Sequence, residues 1–369
     1  EYLELLASLR CITFYNLLMN ALTKTMKSRD LPLTLKSFGR STSFVMLEGD
    51  FFASIESQTL RNVMTISQQQ LLQSGRDSHG IYVGQRLSLF HRAPEIYFEM
   101  IEALKPQSRE LQQLAHIRRG ASTGSNEFFY MNEQEIETYD IEDEYLLQIL
   151  RRPTECQSIR TSLSNRSNRL FSCSHPKELL ADSSALSYIH HGESKGYHQA
   201  STCRSRKLWY TVNPSKPADI LWMETMGSSH RVCLNDLSIS YSDKFYGITL
   251  SDANVDALKL CIWLNSSPII LHKLLTSFNS LGLGALKSPV YEVKKIPIPD
   301  LDSLHFENEV LETFLQRPIQ DVVSEMSMRV RIALEEPIMK VLGFSKQQED
   351  ALRQAIVNLM SNRLDKASS

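Results

Sequence analysis

The 369-residue chain contains no C-x-x-C pair among its six cysteines, Cys11, Cys156, Cys173, Cys203, Cys233 and Cys261. That scatter excludes the usual zinc ribbons and does not make a compact disulfide framework, so a reducing compartment is expected. No apolar run reaches the roughly 18 residues that a bilayer span needs. Glu1-Tyr2-Leu3-Glu4 lacks the basic start of a signal peptide, and a soluble, cytoplasmic protein is expected. Charge of one sign is lacking too. Forty Lys plus Arg against 42 Asp plus Glu leaves −2, so no global field points to nucleic acid or to a membrane. Neither G-x-x-x-x-G-K-[ST] nor G-x-G-x-x-G is present, which removes the common phosphate-binding loops. What remains is ordinary globular composition, 42% hydrophobic and 22% charged, in a length that suits two to three domains.

Residues 1–29 repeat Leu5, Leu6, Leu9, Ile12, Leu17 and Leu18 near helical spacing, and Asp30-Leu31-Pro32 interrupts them. Ser43 to Leu47 reads as a short buried strand, followed by a polar, Gln-rich stretch through Gln73. Residues 75–80 are turn chemistry, and Tyr82 to Phe90 alternates like a strand. Pro94 suits the first turn of a helix carrying Ile96, Phe98, Met100, Ile101 and Leu104, ended by Lys105-Pro106. Mixed α and β character with long loops follows to about Pro299, including a helix through Ile262–Asn265 that restarts at Pro268. From Leu304 the pattern turns helical. Leu334, Ile338, Val341 and Leu342 form one stripe, Gly343 is placed as a C-cap, and Ser345 with Gln348 forms a capping box for a last helix carrying Leu352, Ile356, Leu359 and Met360.

Charge is concentrated between residues 145 and 216, where 11 Lys plus Arg face 4 Asp plus Glu. Arg151, Arg152, Arg160, Arg166 and Arg169 come first, then Arg204, Arg206 and Lys207. Ser, Thr, Asn and His between them are the side chains that reach phosphate oxygens and base edges. Arginine dominates, which suits bidentate contact with guanine or phosphate, although a solvated basic face explains charge alone equally well. Arg118 and Arg119 run into a small-residue loop, residues 120–126, holding Thr123 and Asn126. Its glycines permit a sharp turn, or close approach to a ligand, before an aromatic strand expected from Glu127 to Tyr130. His175, His190, His191 and His198 lack metal-site spacing and are expected to be surface or core residues.

Several ordered segments together resemble the C-terminal half of N6-adenine DNA methyltransferases. They are residues 89–98, the I-R-R-G-A-S-T-G-S-N-E-F-F-Y run at 117–130, Leu208-Trp209-Tyr210, residues 264–267 and 282–287, and Ile296-Pro297-Ile298-Pro299. Glu335, residues 341–344 and Asn362-Arg363 extend the likeness into the tail. The resemblance implies a TaqI-like target recognition region, which reads duplex DNA for a restriction–modification enzyme. The family's methyl-transfer site needs a glycine-rich loop for S-adenosylmethionine and an [ND]-P-P-[YF] motif for the flipped adenine. This chain has no Pro-Pro; Asn213-Pro214-Ser215-Lys216 is the nearest string and lacks the aromatic residue.

The expected architecture is therefore a mixed α/β (α+β) recognition domain at 81–300 with a helical region at 301–369. Residues 1–80 would be a linker or the edge of a catalytic domain that this chain lacks. No cofactor is expected in the chain itself, S-adenosylmethionine belonging to the complete enzyme. The expected partners are double-stranded DNA and a catalytic methyltransferase domain or subunit, with no membrane. Arg118, Arg119, Thr123, Asn126, Arg151, Arg152, Arg160, Arg166, Arg169, Arg204, Arg206 and Lys207 are the expected DNA contacts. The rival readings are an intact enzyme with an unrecognised site, and a truncated remnant that only binds protein. Salt-dependent DNA binding separates the first reading from both.

Overall fold

A computed structural model describes residues 32–38, 42–47, 60–67, 89, 92–106, 108–161, 168–278 and 285–368. The helix expected over residues 1–29 and nearly all of the strand expected from Tyr82 to Phe90 lie outside them. The chain divides into two compact units, Glu1–Pro94 and Glu95–Ser369.

The first unit contains an antiparallel sheet of β1 (Pro32–Phe38), β2 (Thr42–Leu47) and β3 (Leu60–Ser67), with β1 in the middle. Leu35 pairs with Val45 on one side and with Met64 on the other. β2 contains the strand expected at Ser43–Leu47. β3 lies in the stretch read as merely polar, where Val63-Met64-Thr65-Ile66 supplies the β-branched residues a pleated surface favours.

In the second unit, α1 (Glu95–Leu104) follows Pro94 as expected and buries Ile96, Tyr97, Met100 and Leu104. Two four-stranded sheets come next. In the first, β4 (Ala115–Arg119) is an edge strand beside β11 (Phe245–Leu250), then β8 (Ile220–Met223) and β9 (Val232–Leu234), all antiparallel. Ile220 through Met223 are all buried, so β8 is covered on both faces. In the second, β5 (Tyr130–Asn132), β7 (Asn168–Phe171) and β6 (Leu146–Leu150) are antiparallel, and β10 (Ser240–Tyr241) joins β6 in parallel.

The strand expected from Glu127 begins only at Tyr130; Asn126–Phe129 is one turn of helix. Phe128 and Phe129 are both fully buried in one cluster with Phe171, Tyr188 and Tyr210. Strand geometry would have sent these consecutive rings to opposite faces.

Behind the sheets run α3 (Ala257–Asn265) and α4 (Ser267–Thr276), separated at Ser266 with Pro268 in the first turn of α4, as the sequence predicts. Earlier in the chain, α2 (Ser184–Ser194) buries Ala185, Tyr188 and Ile189. The helical end consists of α5 (Asn308–Gln316), α6 (Arg329–Val341) and α7 (Lys346–Ser368), with a short turn at Val322–Glu325. Gly343 takes φ +66° just beyond α6. Ser345 N–H donates to Gln348 Oε1 (2.9 Å) and Gln348 N–H to Ser345 Oγ (3.4 Å), the expected capping box. Leu334, Ile338, Leu342, Leu352, Ile356 and Met360 are buried, and α7 packs on both α4 and α1.

Candidate nucleic-acid interface

Edge strand β4 alternates, burying Ala115 and Ile117 and exposing His116 and Arg118 on the other face. Opposite them in register stand Thr249 and Gly247 of β11. Gly247 has no side chain because Tyr241 occupies its place: a Cβ there would lie 1.9 Å from the Tyr241 hydroxyl. Gly120, at the end of β4, is equally constrained, since a Cβ would lie 2.0 Å from Ser242 O. The loop glycine is thus needed for close approach of two backbone segments.

Residues 213–217 run alongside and are pinned twice. Ser215 Oγ donates to Tyr241 O (3.0 Å), and Ser240 Oγ donates to Ser215 O (3.0 Å). Between this segment and β4 lies an open cleft of about 460 Å³ lined by His116, Arg118, Arg119, Tyr241, Thr249 and residues 213–217. None of the residues lining it is acidic. Sequence reasoning singled out Asn213-Pro214-Ser215-Lys216 only as a failed catalytic string. Its spacing from β4, about a hundred residues, gives no signal that the two meet.

The expected DNA contacts fall into different environments. Arg118, Arg152, Arg204 and Lys207 are exposed, as is Lys216, and none of the five has an ion-pair partner among the described residues. Asn126 is exposed as well, but it accepts a 2.6 Å hydrogen bond from Thr123 Oγ1, and Thr123 is buried. Arg119 is half-exposed and donates to Asp243 O (3.0 Å) and Glu224 Oε2 (3.3 Å). Glu224 is buried and also receives Tyr246 Oη and Lys287 Nζ, each at 3.1 Å.

Arg160 is bound to Asp236 (2.8 Å), and Arg169 to Asp143 (3.2 Å). Arg151 stacks over the Tyr130 ring at 4.6 Å. Burial, with Asp243 nearby, pushes the Tyr130 hydroxyl up to about 12 against the opposing pull of Arg151. Arg206 is a clamp: its guanidinium donates to Ser122 O (2.7 Å) and Trp209 O (3.5 Å) and lies over Phe129. Burial lowers its pKa. Arg166 lies outside the described residues.

Residues 120–124 also have the G-x-S-x-G spacing of a hydrolase elbow. Ser122 does not adopt the left-handed backbone region, and no histidine bonds its hydroxyl among the described residues. His191 bonds Tyr139 (3.1 Å) and His230 bonds Leu264 O (2.9 Å), while no group of three or more His, Cys, Asp or Glu among the described residues could hold a metal. Cys156, Cys173, Cys203, Cys233 and Cys261 are buried free thiols.

This fold is shared with a solved restriction enzyme. The structure of the type IIG restriction endonuclease BpuSI superposes with a TM-score of 0.51 at 14% identity, covering 86% of this chain and 38% of that one. Residues 93–330 match the family described as type II methyltransferase M.Eco57I, C-terminal domain, and the chain belongs to that family, a C-terminal region of restriction–modification methyltransferases. It is also similar to the type II methyltransferase M.AccI of Acinetobacter calcoaceticus, 28% identical over 161 residues, which are 39% of this chain and 28% of the relative. The chain thus matches well under half the length of either protein.

Proposed function

We propose that this chain is the sequence-specific DNA-recognition part of an S-adenosylmethionine-dependent N6-adenine methyltransferase. It positions duplex DNA, and a catalytic methyltransferase domain or subunit acts on the flipped adenine, in the cytoplasm. The observation that carries the reading is that five exposed cations, Arg118, Arg152, Arg204, Lys207 and Lys216, have no ion-pair partner among the described residues, in a chain whose net charge is −2. Charges left unpaired on a protein with acid to spare are available to phosphates. Family membership and the resemblance to adenine methyltransferases supply the chemistry of the complete enzyme.

S-adenosylmethionine does not fit this site. Its sulfonium and ammonium groups would enter a cleft lined by Arg118, Arg119 and Lys216 with no carboxylate to receive them. No helix among the described residues is long and apolar enough to cross a membrane.

The test is duplex binding by the full chain over a salt series. Each phosphate neutralised should add about 0.9 to the log–log slope. Arg204→Ala and Lys207→Ala should each lower that slope by about one. A chain that binds no duplex even at low salt would overturn the reading.

A further inference from the structure

We infer that the cleft between β4 and residues 213–217 seats a stretch of the DNA sugar–phosphate backbone, with Arg118 gripping from one wall and Lys216 from the other. The inference deepens the DNA-recognition reading and rests on it. It adds a contact, Lys216, that lies outside the two arginine-rich stretches, and it fixes where one strand lies.

Three observations support a built anion seat rather than a solvated basic face. The first is sign. The cleft has His116, Arg118, Arg119 and Lys216 in its lining and no acid at all. Several cations elsewhere in this unit are answered locally: Arg160 by Asp236, Arg169 by Asp143, and Arg317 and Arg331 by Glu325. Arg119 itself is partly satisfied by Glu224, which leaves Arg118 and Lys216 as the cations with charge to give.

The second is rigidity. Arg118 sits on a paired strand, and Lys216 follows Ser215, which is held both through its hydroxyl and through its carbonyl. Pro214 and Pro217 restrict the same segment further. Both cations therefore project from walls already in place, so binding need not order a loop first.

The third is shape. A cleft of about 460 Å³ is in the range of ligand pockets, and its openness to solvent suits a chain that passes through. Two sources of phosphate satisfy this chemistry, a DNA strand or a free nucleotide. The exposed cations beyond the cleft with no ion-pair partner among the described residues, Arg152, Arg204 and Lys207, favour the strand.

The experiment compares the parent, Arg118→Ala, Lys216→Ala and the double variant in duplex binding by fluorescence anisotropy over a salt series. Lys340→Ala on the exposed side of α6 serves as a charge-matched control. Melting temperature, measured alongside, confirms that each variant is folded.

Each single variant should weaken binding to every sequence about eightfold at 0.1 M salt and lower the slope by about one, as loss of one phosphate contact requires. The double variant should lose about two from the slope, and the control nothing. If the parent binds DNA and both cleft variants match it, the cleft assignment is overturned while the recognition reading stands. If the parent binds no duplex, both fall. A second arm offers a mixture of deoxynucleoside monophosphates. Tight binding of these that the two substitutions abolish, with duplex binding unchanged, would also overturn the strand assignment.

Discussion

Glu335 on α6 receives both the backbone N–H of Ser267 (2.8 Å) and the Ser267 hydroxyl (2.7 and 2.9 Å), so one buried carboxylate caps the start of α4. Arg331 joins it to Glu325 through contacts of 2.9 and 2.8 Å and donates to Asn265 O at the end of α3. The break between α3 and α4, which exposes backbone groups inside the core, is thereby satisfied by a side chain from the helical end.

Removing that carboxylate should be costly. Glu335→Ala leaves Arg331 buried with less compensation and uncaps α4, an expected loss of about 3–5 kcal/mol. Glu335→Gln keeps an acceptor for Ser267 and should lose less. Urea unfolding of both variants orders the two effects; equal stability of parent and Glu335→Ala would refute the cap.

Burial would raise the Glu325 carboxyl, but Arg317 and Arg331 outweigh it and hold the group at about 2, below the ordinary 4.5. A carboxyl with a depressed folded-state pKa lends stability above its unfolded value and loses it as pH falls through the folded one. Between about pH 4.5 and 2 the parent should therefore lose stability on the order of 3 kcal/mol that Glu325→Gln does not lose. Urea midpoints for the two proteins over that window check it. Parallel curves would refute it.

Lys273 is fully buried beneath Trp222, its ammonium 4.1 Å from the ring and donating to Met223 O (3.1 Å). Burial lowers its pKa to about 7 from 10.5. The unfolded chain binds more protons between those values, so the parent should gain stability as pH rises from 7 towards 10.5. Lys273→Met should accordingly be most favourable at or below pH 7, its advantage shrinking as pH rises. Melting temperatures of the two proteins from pH 6 to 10 decide it, and a constant difference counts against the effect.

Arg206 and Lys207 are neighbours in sequence with opposite expected outcomes. Arg206→Ala removes the clamp on the loop at Ser122 and should cost about 1–3 kcal/mol with little change in the salt slope of DNA binding. Lys207→Ala should leave the melting temperature alone and lower that slope by about one. The reverse pattern would show that burial of Arg206 misassigns its role.

Gly120→Ala would force a Cβ onto the Ser242 carbonyl, a backbone atom that cannot swing aside. The expected cost is about 1–3 kcal/mol, with weaker duplex binding as the cleft distorts. An unchanged melting temperature would mean that the loop yields.

Local chemistry made much of this fold legible. Pro94, Pro268, Gly343 and the Ser345–Gln348 pair marked helix ends because caps are written within a few residues. The turn at Asn126–Phe129 was not legible, since whether two adjacent phenylalanines share a core depends on Tyr188 and Trp209, more than fifty residues on. The same holds for the arginines. Composition located the basic stretch, but which cations are already spoken for depends on Asp236, Glu224 and Asp143, brought in by topology. Arg206 likewise finds Ser122 O eighty-four residues away, and Lys216 lines the cleft only because residues 213–217 come to lie beside β4.

α7 has a further consequence. Near its start Gln348 bonds Glu99 of α1 (2.7 Å), and fifteen residues later Arg363 bonds the carbonyls of Met226 and Gly227, just past β8. At 1.5 Å per residue those anchors are about 22 Å apart. The helix is thus a stiff gauge rod between the point where the chain enters this unit and the sheet that carries the cleft. Its length sets how far that sheet stands from the entry point, so inserting or deleting one whole turn should move the cleft relative to α1 while leaving the cleft's own walls intact.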